Sequence, residues 1–222
     1  MSTSSSLTGI SVQRRRGAAK GNPISFLSPE ELLAVLKVAR GRSLRDWAMI
    51  LLAYGHGLRS AEVCGLRLAN VNVKKRSISV QRLMGSLRTT QPLREHSGQP
   101  LLDETSAVRE WLKERPPDAS DYLFTSRKGG ALDKSQFFRI FQTTAEGAGL
   151  SRDKRYPRLL RHSLALHLVA GNVNLDLIKQ ALGHSSITST MRYVRPTSAD
   201  AAEAVQSALT GIFYFSLLPR DK

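Results

Sequence analysis

Apolar residues recur at helical spacing along most of this chain, and that pattern restricts the fold more than any other feature of the sequence. Ser28 precedes Pro29 and two glutamates, which is typical of a helix start, because Ser caps the first turn and acids favour its positive end. An apolar face then repeats through Leu32, Leu36 and Ala39. The same periodicity predicts helices at about 43–54, 60–66, 103–114, 134–147, 159–170, 175–182, 187–192 and 198–209.

A single region of the sequence alternates in the manner of a β-strand. Residues 77–81 alternate polar and apolar, Gly85 permits a turn, and residues 89–93 can return beside the first strand. The sequence therefore predicts a mainly α domain with a small antiparallel β-hairpin, an α+β fold. Gly149, Gly171 and Gly183 each follow a predicted helix, where a left-handed backbone is common.

The chain carries a large excess of positive charge. Its 222 residues include 33 Lys and Arg against 18 Asp and Glu, a formal net charge of +15. Arginines outnumber lysines 23 to 10, and residues 71–94 contain six bases and no acid. Because a guanidinium binds phosphate oxygens with paired hydrogen bonds, this composition favours a nucleic-acid partner.

Membrane and secreted classes are disfavoured by the sequence. No stretch approaches the roughly 20 apolar residues of a membrane-spanning helix, and the Ser/Thr-rich N terminus lacks the layout of a signal peptide. Cys64 is the sole cysteine, which excludes an internal disulfide and a multi-cysteine metal site. These features predict a soluble protein of the cytoplasm.

Composition divides the chain into three segments. Residues 1–27 combine small polar residues with Arg14, Arg15 and Arg16 and contain no acid, which predicts a flexible basic arm that binds DNA phosphates. Residues 28–196 form the predicted domain. Residues 197–222 form a predicted C-terminal helix and an apolar tail.

Several kinds of chemistry lack their motifs in this sequence. The five histidines have no partner cysteines, so no zinc pattern is present. A Gly-rich phosphate loop followed by Lys and Ser/Thr is absent, and so is a serine elbow. The sequence therefore predicts neither a metal nor a nucleotide cofactor.

Four short motifs contain the residues that could take part in a reaction, and their order along the chain resembles that of a known family. They are Gly57-Leu58-Arg59-Ser60-Ala61-Glu62, Leu159-Leu160-Arg161-His162-Ser163, Leu182-Gly183-His184 and Met191-Arg192-Tyr193. Over residues 28–196 this arrangement resembles the tyrosine recombinase (phage integrase) family. The segments 89–93 and 123–129 look most like the short fimbrial phase-variation recombinases, which also lack the usual N-terminal DNA-clamping domain.

The resemblance implies a catalytic-domain fold and a reaction. In that family a tyrosine hydroxyl attacks a DNA phosphodiester and forms a 3′-phosphotyrosyl link, so neither ATP nor a metal is required. The resemblance assigns this attack to Tyr193, phosphate binding to Arg59 and Arg161, and a further hydrogen bond to His184. Glu62, one helical turn after Arg59, would orient that guanidinium.

Two positions depart from the family's pattern. Arg158, which is included among the catalytic candidates, stands where the family commonly has a histidine. It can still donate to a phosphate oxygen, but arginine cannot exchange a proton near neutral pH. The family's hairpin lysine aligns near Met84 or Gly85, neither of which can act as an acid. These departures leave three outcomes open: a slow recombinase, one that uses a displaced lysine such as Lys128, or a relative that only binds DNA.

Further DNA contacts are predicted in addition to the residues assigned to the reaction. They are Arg14, Arg15 and Arg16 of the arm, together with Arg67, Arg82, Arg88, Lys128 and Arg192. The partner that they imply is double-stranded DNA.

Plainer interpretations of the same residues stay open. Arg59 and Arg161 could be surface residues or form structural ion pairs. His184 could cap a helix, and Tyr193 could be a core residue. His162 is expected to pack or to support its neighbours. Residues 174–195 also fit a helix-turn-helix, which would indicate a transcriptional regulator. The position of Tyr193, nine residues after the Leu-Gly-His motif, favours the enzyme.

Assembly follows from the resemblance as an expectation. A tetramer on two DNA duplexes would cut and exchange strands in turn, with DNA-bending accessory proteins as further partners. Residues 197–222 would either pack into a neighbouring subunit or cover the protein's own core.

Overall fold

The computed structural model of the protein describes residues 25–83, 88–117, 120–126, 128–184, 186, 188–191 and 193. Within them the chain is mainly helical, with one small sheet. The helices are α1 (Pro29–Arg42), α2 (Leu44–Gly55), α3 (Ser60–Cys64), α4 (Glu104–Glu114), α5 (Lys134–Gly147), α6 (Arg158–Ala170), α7 (Leu175–Leu182) and α8 (Thr188–Met191). Short 3-10 turns occupy Leu68–Asn70, Pro100–Leu102 and Arg152–Lys154. The predicted α+β fold class is confirmed.

Helix α1 begins where its sequence predicts. The side chain of Ser28 accepts a hydrogen bond from the backbone N–H of Glu31, and the Glu31 carboxylate accepts one from the Ser28 N–H. This reciprocal cap satisfies two donors that the first helical turn would otherwise leave without partners. Helices α1, α2, α4, α5 and α6 enclose the main core, whose largest fully buried side chains include Trp47, Phe124, Phe137 and Phe141.

The sheet has three antiparallel strands in the order β1 (Val71–Asn72), β2 (Ser77–Val80) and β3 (Thr89–Pro92). Strands β2 and β3 form the predicted hairpin, with Ser77 opposite Pro92 and Val80 opposite Thr89. The sequence did not predict β1, because two residues are too few to show an alternating pattern. One face of β2 is buried through Ile78 and Val80, which holds the hairpin against the helical core.

A smaller apolar cluster joins α6 to α7. Its buried members are Leu164, Ala165, Ile178, Leu182 and Tyr193. Beside this cluster, His184 after α7 and Tyr193 after α8 line the same cavity as residues at the start of α6. That placement brings together the residues of the candidate site.

The helix ends only partly follow the predicted glycine pattern. Gly149 and Gly183 have φ of +77° and +67°, as predicted. Gly171 was wrongly predicted, since its φ is −83° and Asn172 takes the left-handed conformation instead, with φ of +55°. Asparagine tolerates that region better than other non-glycine residues do.

Several predictions fall on parts of the chain outside the described residues. These are the predictions for residues 1–24 of the basic arm, for the helix at 198–209 and for the C-terminal tail. Of the helix predicted at 187–192, the structure describes Thr188–Met191. In the described part of the chain, no helix is long and apolar enough to cross a membrane.

Candidate active site

Arg59 is held at the start of α3 by Glu62. One Glu62 oxygen accepts the Arg59 backbone N–H at 2.9 Å, and the other accepts the Arg59 Nη1 at 2.8 Å. Glu62 is buried, whereas about a third of the Arg59 side chain is exposed. Burial alone would raise the pKa of Glu62, but the N–H groups of Arg59 and Leu83 and the two arginines beside it lower this pKa. The carboxylate thus fixes a guanidinium that is still partly exposed.

Arg161 projects from the first turns of α6 into the same region. Its Nη1 donates to the carbonyl of Gly57 at 2.6 Å. Burial, followed by the positive charges of Arg59 and Arg82, lowers the pKa of Arg161 to about 10, so the group stays protonated at neutral pH. Its Nη2 is buried without a hydrogen-bond partner among the described residues. A buried cationic donor of this kind suits an anionic oxygen, because leaving it unmet is costly.

Gly57 makes this arrangement sterically possible. Its φ is +56°, and a Cβ built there would lie 2.5 Å from a methyl carbon of Leu182. Glycine is therefore required for the close contact between the end of α2 and α7. The contact places the Gly57 carbonyl where Arg161 can bind it.

His184 follows the left-handed Gly183 that ends α7. A Cβ on Gly183 would meet the Arg82 side chain at 2.8 Å, so glycine is needed there for space as well as for φ. His184 is buried, and its Nδ1 lies 2.8 Å from the Thr190 hydroxyl of α8. The residue at the left-handed cap position is therefore Gly183, and His184 follows it.

Tyr193 has a buried ring and a hydroxyl group that reaches the site. The ring packs against the α6–α7 cluster and the residue is 8% exposed. The hydroxyl lies 2.8 Å from Nδ1 of His162. The core and nucleophile interpretations of this tyrosine are thus compatible, since different ends of the side chain serve them.

A cavity of about 390 Å³ joins these groups. It is lined by Leu58, Arg59, Ser60, Arg158, Arg161, His162, His184, Ser189 and Tyr193. Five of the residues that the sequence singled out therefore line one cavity: Arg59, Arg158, Arg161, His184 and Tyr193. Arg158 is exposed at its edge, with its guanidinium 4.6 Å from the ring centre of Tyr156.

Arg82 lies inside the protein rather than on the surface that the sequence predicted. Its side chain is fully buried and donates to the carbonyls of His56, Gly57 and Ala181. It also binds Glu62 and the Thr89 hydroxyl. With its donors directed at protein acceptors, Arg82 is corrected from a DNA contact to a structural residue.

The other predicted DNA contacts lie at separate places. Arg88 is exposed and lines a groove of about 650 Å³ between β3 and α7, beside Arg94, Lys179 and His184. Lys128 lines a second pocket of about 440 Å³ together with two further arginines, Arg45 and Arg139.

Arg67 is exposed, but it is paired with an acid. Its guanidinium binds Asp121 and lies 4.6 Å from the ring centre of Tyr122. Arg14, Arg15, Arg16 and Arg192 lie outside the described residues, as do Met84 and Gly85.

His162 is the site residue whose place the sequence interpretation missed. It was expected to pack or to support its neighbours, yet it contacts the Tyr193 hydroxyl across 31 positions of sequence. The sequence places His162 next to Arg161, which could have suggested that it also belongs to the site. This signal is weak, because adjacent residues on a helix point in different directions.

Comparison with known proteins identifies the family of the chain. The sequence model of the phage integrase family matches residues 25–200. The Type 1 fimbriae regulatory protein FimB of Escherichia coli (strain K12) is 34% identical over 174 residues, covering 76% of this chain and 83% of FimB. FimE of the same strain is 32% identical over 180 residues, covering 78% and 87%. The resemblance to the fimbrial proteins is thereby confirmed.

Solved structures share the fold. The crystal structure of XerA recombinase superposes with a TM-score of 0.68 at 23% identity, covering 90% of this chain and 66% of that one. The XerH site-specific recombinase bound to its difH substrate gives a TM-score of 0.67 at 25% identity, covering 81% and 53%. The chain thus spans between about half and two thirds of these recombinases. From the family match and the fimbrial relatives together, the chain belongs to the phage integrase family of tyrosine recombinases.

Proposed function

We propose that this protein is a site-specific DNA recombinase that cuts and rejoins strands through a 3′-phosphotyrosyl intermediate. The observation that carries the proposal is the shared cavity, in which the hydroxyl-bearing residue Tyr193 lies with Arg59, Arg161 and His184. A nucleophile and several fixed cationic or hydrogen-bonding groups around one space suit an attack on an anionic phosphodiester.

The two arginines have distinct roles in this proposal. Negative charge builds on the phosphate oxygens when the fifth bond forms, and donors that are already in place stabilise it without reorganisation. Arg59 is fixed by buried Glu62 and presents its outer face to the cavity. Arg161 offers its buried Nη2 to a phosphate oxygen while Nη1 stays on the Gly57 carbonyl. His184 adds a further hydrogen bond.

The surface beside the cavity fits a DNA backbone. The groove between β3 and α7 meets the cavity at His184, which lines both. Arg88, Arg94 and Lys179 line this groove against the single acid Asp176. We assign this groove to the duplex next to the cut strand, since phosphate contacts supply most of the binding free energy at such surfaces. XerH, one of the structural relatives, was solved on its difH substrate.

Assembly and location complete the proposal. A homotetramer on two duplexes would allow strands to be exchanged, and DNA-bending proteins would assist it. Residues 197–222 would join neighbouring subunits or cover the protein's own core. The protein would act in the cytoplasm of a bacterium, on chromosomal or phage-derived DNA, with inversion, integration or excision as the outcome. The similarity to FimB and FimE supports inversion of the fimbrial phase-variation type.

Covalent capture tests the function directly. The protein is incubated with a pool of duplexes that carry random sequence on both sides of a nick, so that a cut fragment diffuses away and the intermediate accumulates. We expect a protein–DNA species that survives SDS and disappears after protease treatment, and sequencing its DNA would define the site. Specific binding in native gels without any SDS-resistant species would favour the regulator instead.

The basic arm gives a second measurement. Replacing Arg14, Arg15 and Arg16 by alanine removes up to about three phosphate contacts, so the slope of log K against log salt should become shallower by up to about 2.7. The affinity should fall equally for matched and unrelated duplexes, because backbone contacts carry no sequence information. A slope equal to that of the unmodified protein would remove the arm from the DNA footprint.

A further inference from the structure

We propose that His162 is the base that removes the proton from Tyr193 when the tyrosine attacks DNA. The inference rests on the proposed function, and it assigns a catalytic role that the motifs alone did not give to this histidine. Attack by a neutral phenol is slow, so a nucleophilic tyrosine needs a group that accepts its proton.

The geometry of the contact suits proton transfer. Nδ1 of His162 lies 2.8 Å from the Tyr193 hydroxyl oxygen, within the distance over which a base must reach its proton. The ring centres are 5.8 Å apart and the ring planes are inclined by 52°. In the tautomer that carries its proton on Nε2, Nδ1 accepts the phenolic O–H. His162 is half-buried and lines the cavity, so the pair faces the space assigned to the phosphate.

The other ionisable groups around His162 do not fit the role. Arg59 reaches the cavity from the start of α3, and Arg158 and Arg161 reach it from α6. A guanidinium group donates hydrogen bonds and has no acceptor site for a proton. His184 enters after α7, with Nδ1 at 2.8 Å from the Thr190 hydroxyl. Nδ1 of His162 is the ring nitrogen that lies 2.8 Å from the phenol oxygen.

The step balances without any added reactant except water. The O–H bond of Tyr193 breaks and its proton goes to Nδ1 of His162, while the phenolic oxygen forms a bond to phosphorus. The bond from phosphorus to the 5′-oxygen breaks, its electron pair stays on that oxygen, and the oxygen takes a proton from solvent water. In rejoining, the 5′-hydroxyl loses its proton to solvent as its oxygen forms a bond to phosphorus. The bond from phosphorus to the phenolic oxygen breaks, and the imidazolium returns its proton to that oxygen.

His162→Asn separates proton transfer from hydrogen bonding. The asparagine amide occupies the position of Nδ1 and can still bind the phenol, but it cannot accept a proton. We expect the rate of adduct formation on the captured duplex to fall by about 100- to 10,000-fold, the usual contribution of a base. The wild-type rate should decrease on acidification as the imidazole becomes protonated, and the variant should lose this dependence.

A substrate with sulfur in place of the bridging 5′-oxygen distinguishes a base from an acid. A thiolate leaves without a proton, so this change removes the requirement for an acid but not for a base. His162→Asn should remain slow on the sulfur substrate. Recovery of the wild-type rate there would show that His162 protonates the leaving group and would overturn the proposal.

His167 supplies a matched control on the same helix. Its Nδ1 lies 2.8 Å from the hydroxyl of Tyr54, so it repeats the contact of His162 with a different tyrosine. His167→Asn should form the adduct at the wild-type rate. If the two variants lost rate equally, the effect would be structural and the proposal would fail.

A second variant covers the case in which asparagine disturbs the fold. His162→Ala opens space at the edge of the cavity, and free imidazole added to the buffer should restore adduct formation in a pH-dependent manner. A wild-type rate in folded His162→Asn, or no rescue of folded His162→Ala, would overturn the proposal. If the wild-type protein itself formed no adduct, the proposed function would be wrong and this inference would fall with it.

Discussion

Tyr193→Phe is expected to abolish the covalent adduct while leaving the fold and DNA binding in place. The substitution removes one oxygen, and the remaining ring still packs against Leu164, Ala165, Ile178 and Leu182. The loss of the contact with His162 should cost about 1 kcal/mol of stability, the usual contribution of one hydrogen bond. Adduct formation, followed on a denaturing gel with the captured duplex, should fall below detection.

Tyr54→Phe is the control for removal of a tyrosine hydroxyl. The Tyr54 hydroxyl binds His167 at 2.8 Å, as the Tyr193 hydroxyl binds His162, but it does not line the cavity. This variant should lose similar stability and retain adduct formation. An adduct in Tyr193→Phe of the same size and site as in the wild-type protein would place the nucleophile on another residue, and the proposed mechanism would be wrong.

Local sequence signals were sufficient for most of the fold. The capped start of α1, the limits of α5 and α7 and the β2–β3 hairpin all follow from caps, periodicity and alternation that act within a few residues. β1 was missed because its two residues are strand-forming only through pairing with Ile78 and Ser77. Gly171 was misassigned because its neighbour Asn172 also tolerates the left-handed region and adopts it here.

Residues of the site could be predicted from the sequence only where a recognisable motif contains them. The order of the four motifs pointed to Arg59, Arg161, His184 and Tyr193, which the structure brings into one cavity. No local pattern signals the contact between His162 and Tyr193, because 31 residues separate them.

Arg82 also shows that local sequence does not reveal contacts between distant residues. Its basic surroundings in the sequence indicated an exposed DNA contact, whereas the acceptors that bury it lie 7 to 99 residues away. Charge clustering in a sequence shows how many cations are available. It does not show which of them the folded protein uses internally.

Arg82→Met is expected to lower the free energy of unfolding by about 3–5 kcal/mol, the usual cost of breaking a buried ion pair. Burial lowers the pKa of Arg82, whereas the charge of Glu62 raises it. The two buried charges therefore stabilise each other, and removing Arg82 takes this ion pair away from Glu62. Methionine fills a similar volume but supplies no donor. In this variant the Ala181 carbonyl would still accept a hydrogen bond from the Gln91 side-chain amide at 2.8 Å. The His56 carbonyl, by contrast, would lose the hydrogen bond from Arg82. Urea unfolding measured by circular dichroism would quantify the loss.

Arg88→Met provides the comparison within the same hairpin, because Arg88 is exposed and lines the proposed DNA groove. Its stability should change by less than about 0.5 kcal/mol, as for most surface substitutions, while its DNA affinity falls. Arg82→Met, by contrast, should also disturb catalysis, since Arg82 binds the Gly57 carbonyl that Arg161 shares and packs against Gly183 before His184. If Arg82→Met unfolded at the wild-type urea concentration and lost only DNA affinity, Arg82 would contact DNA after all and its buried network would be refuted.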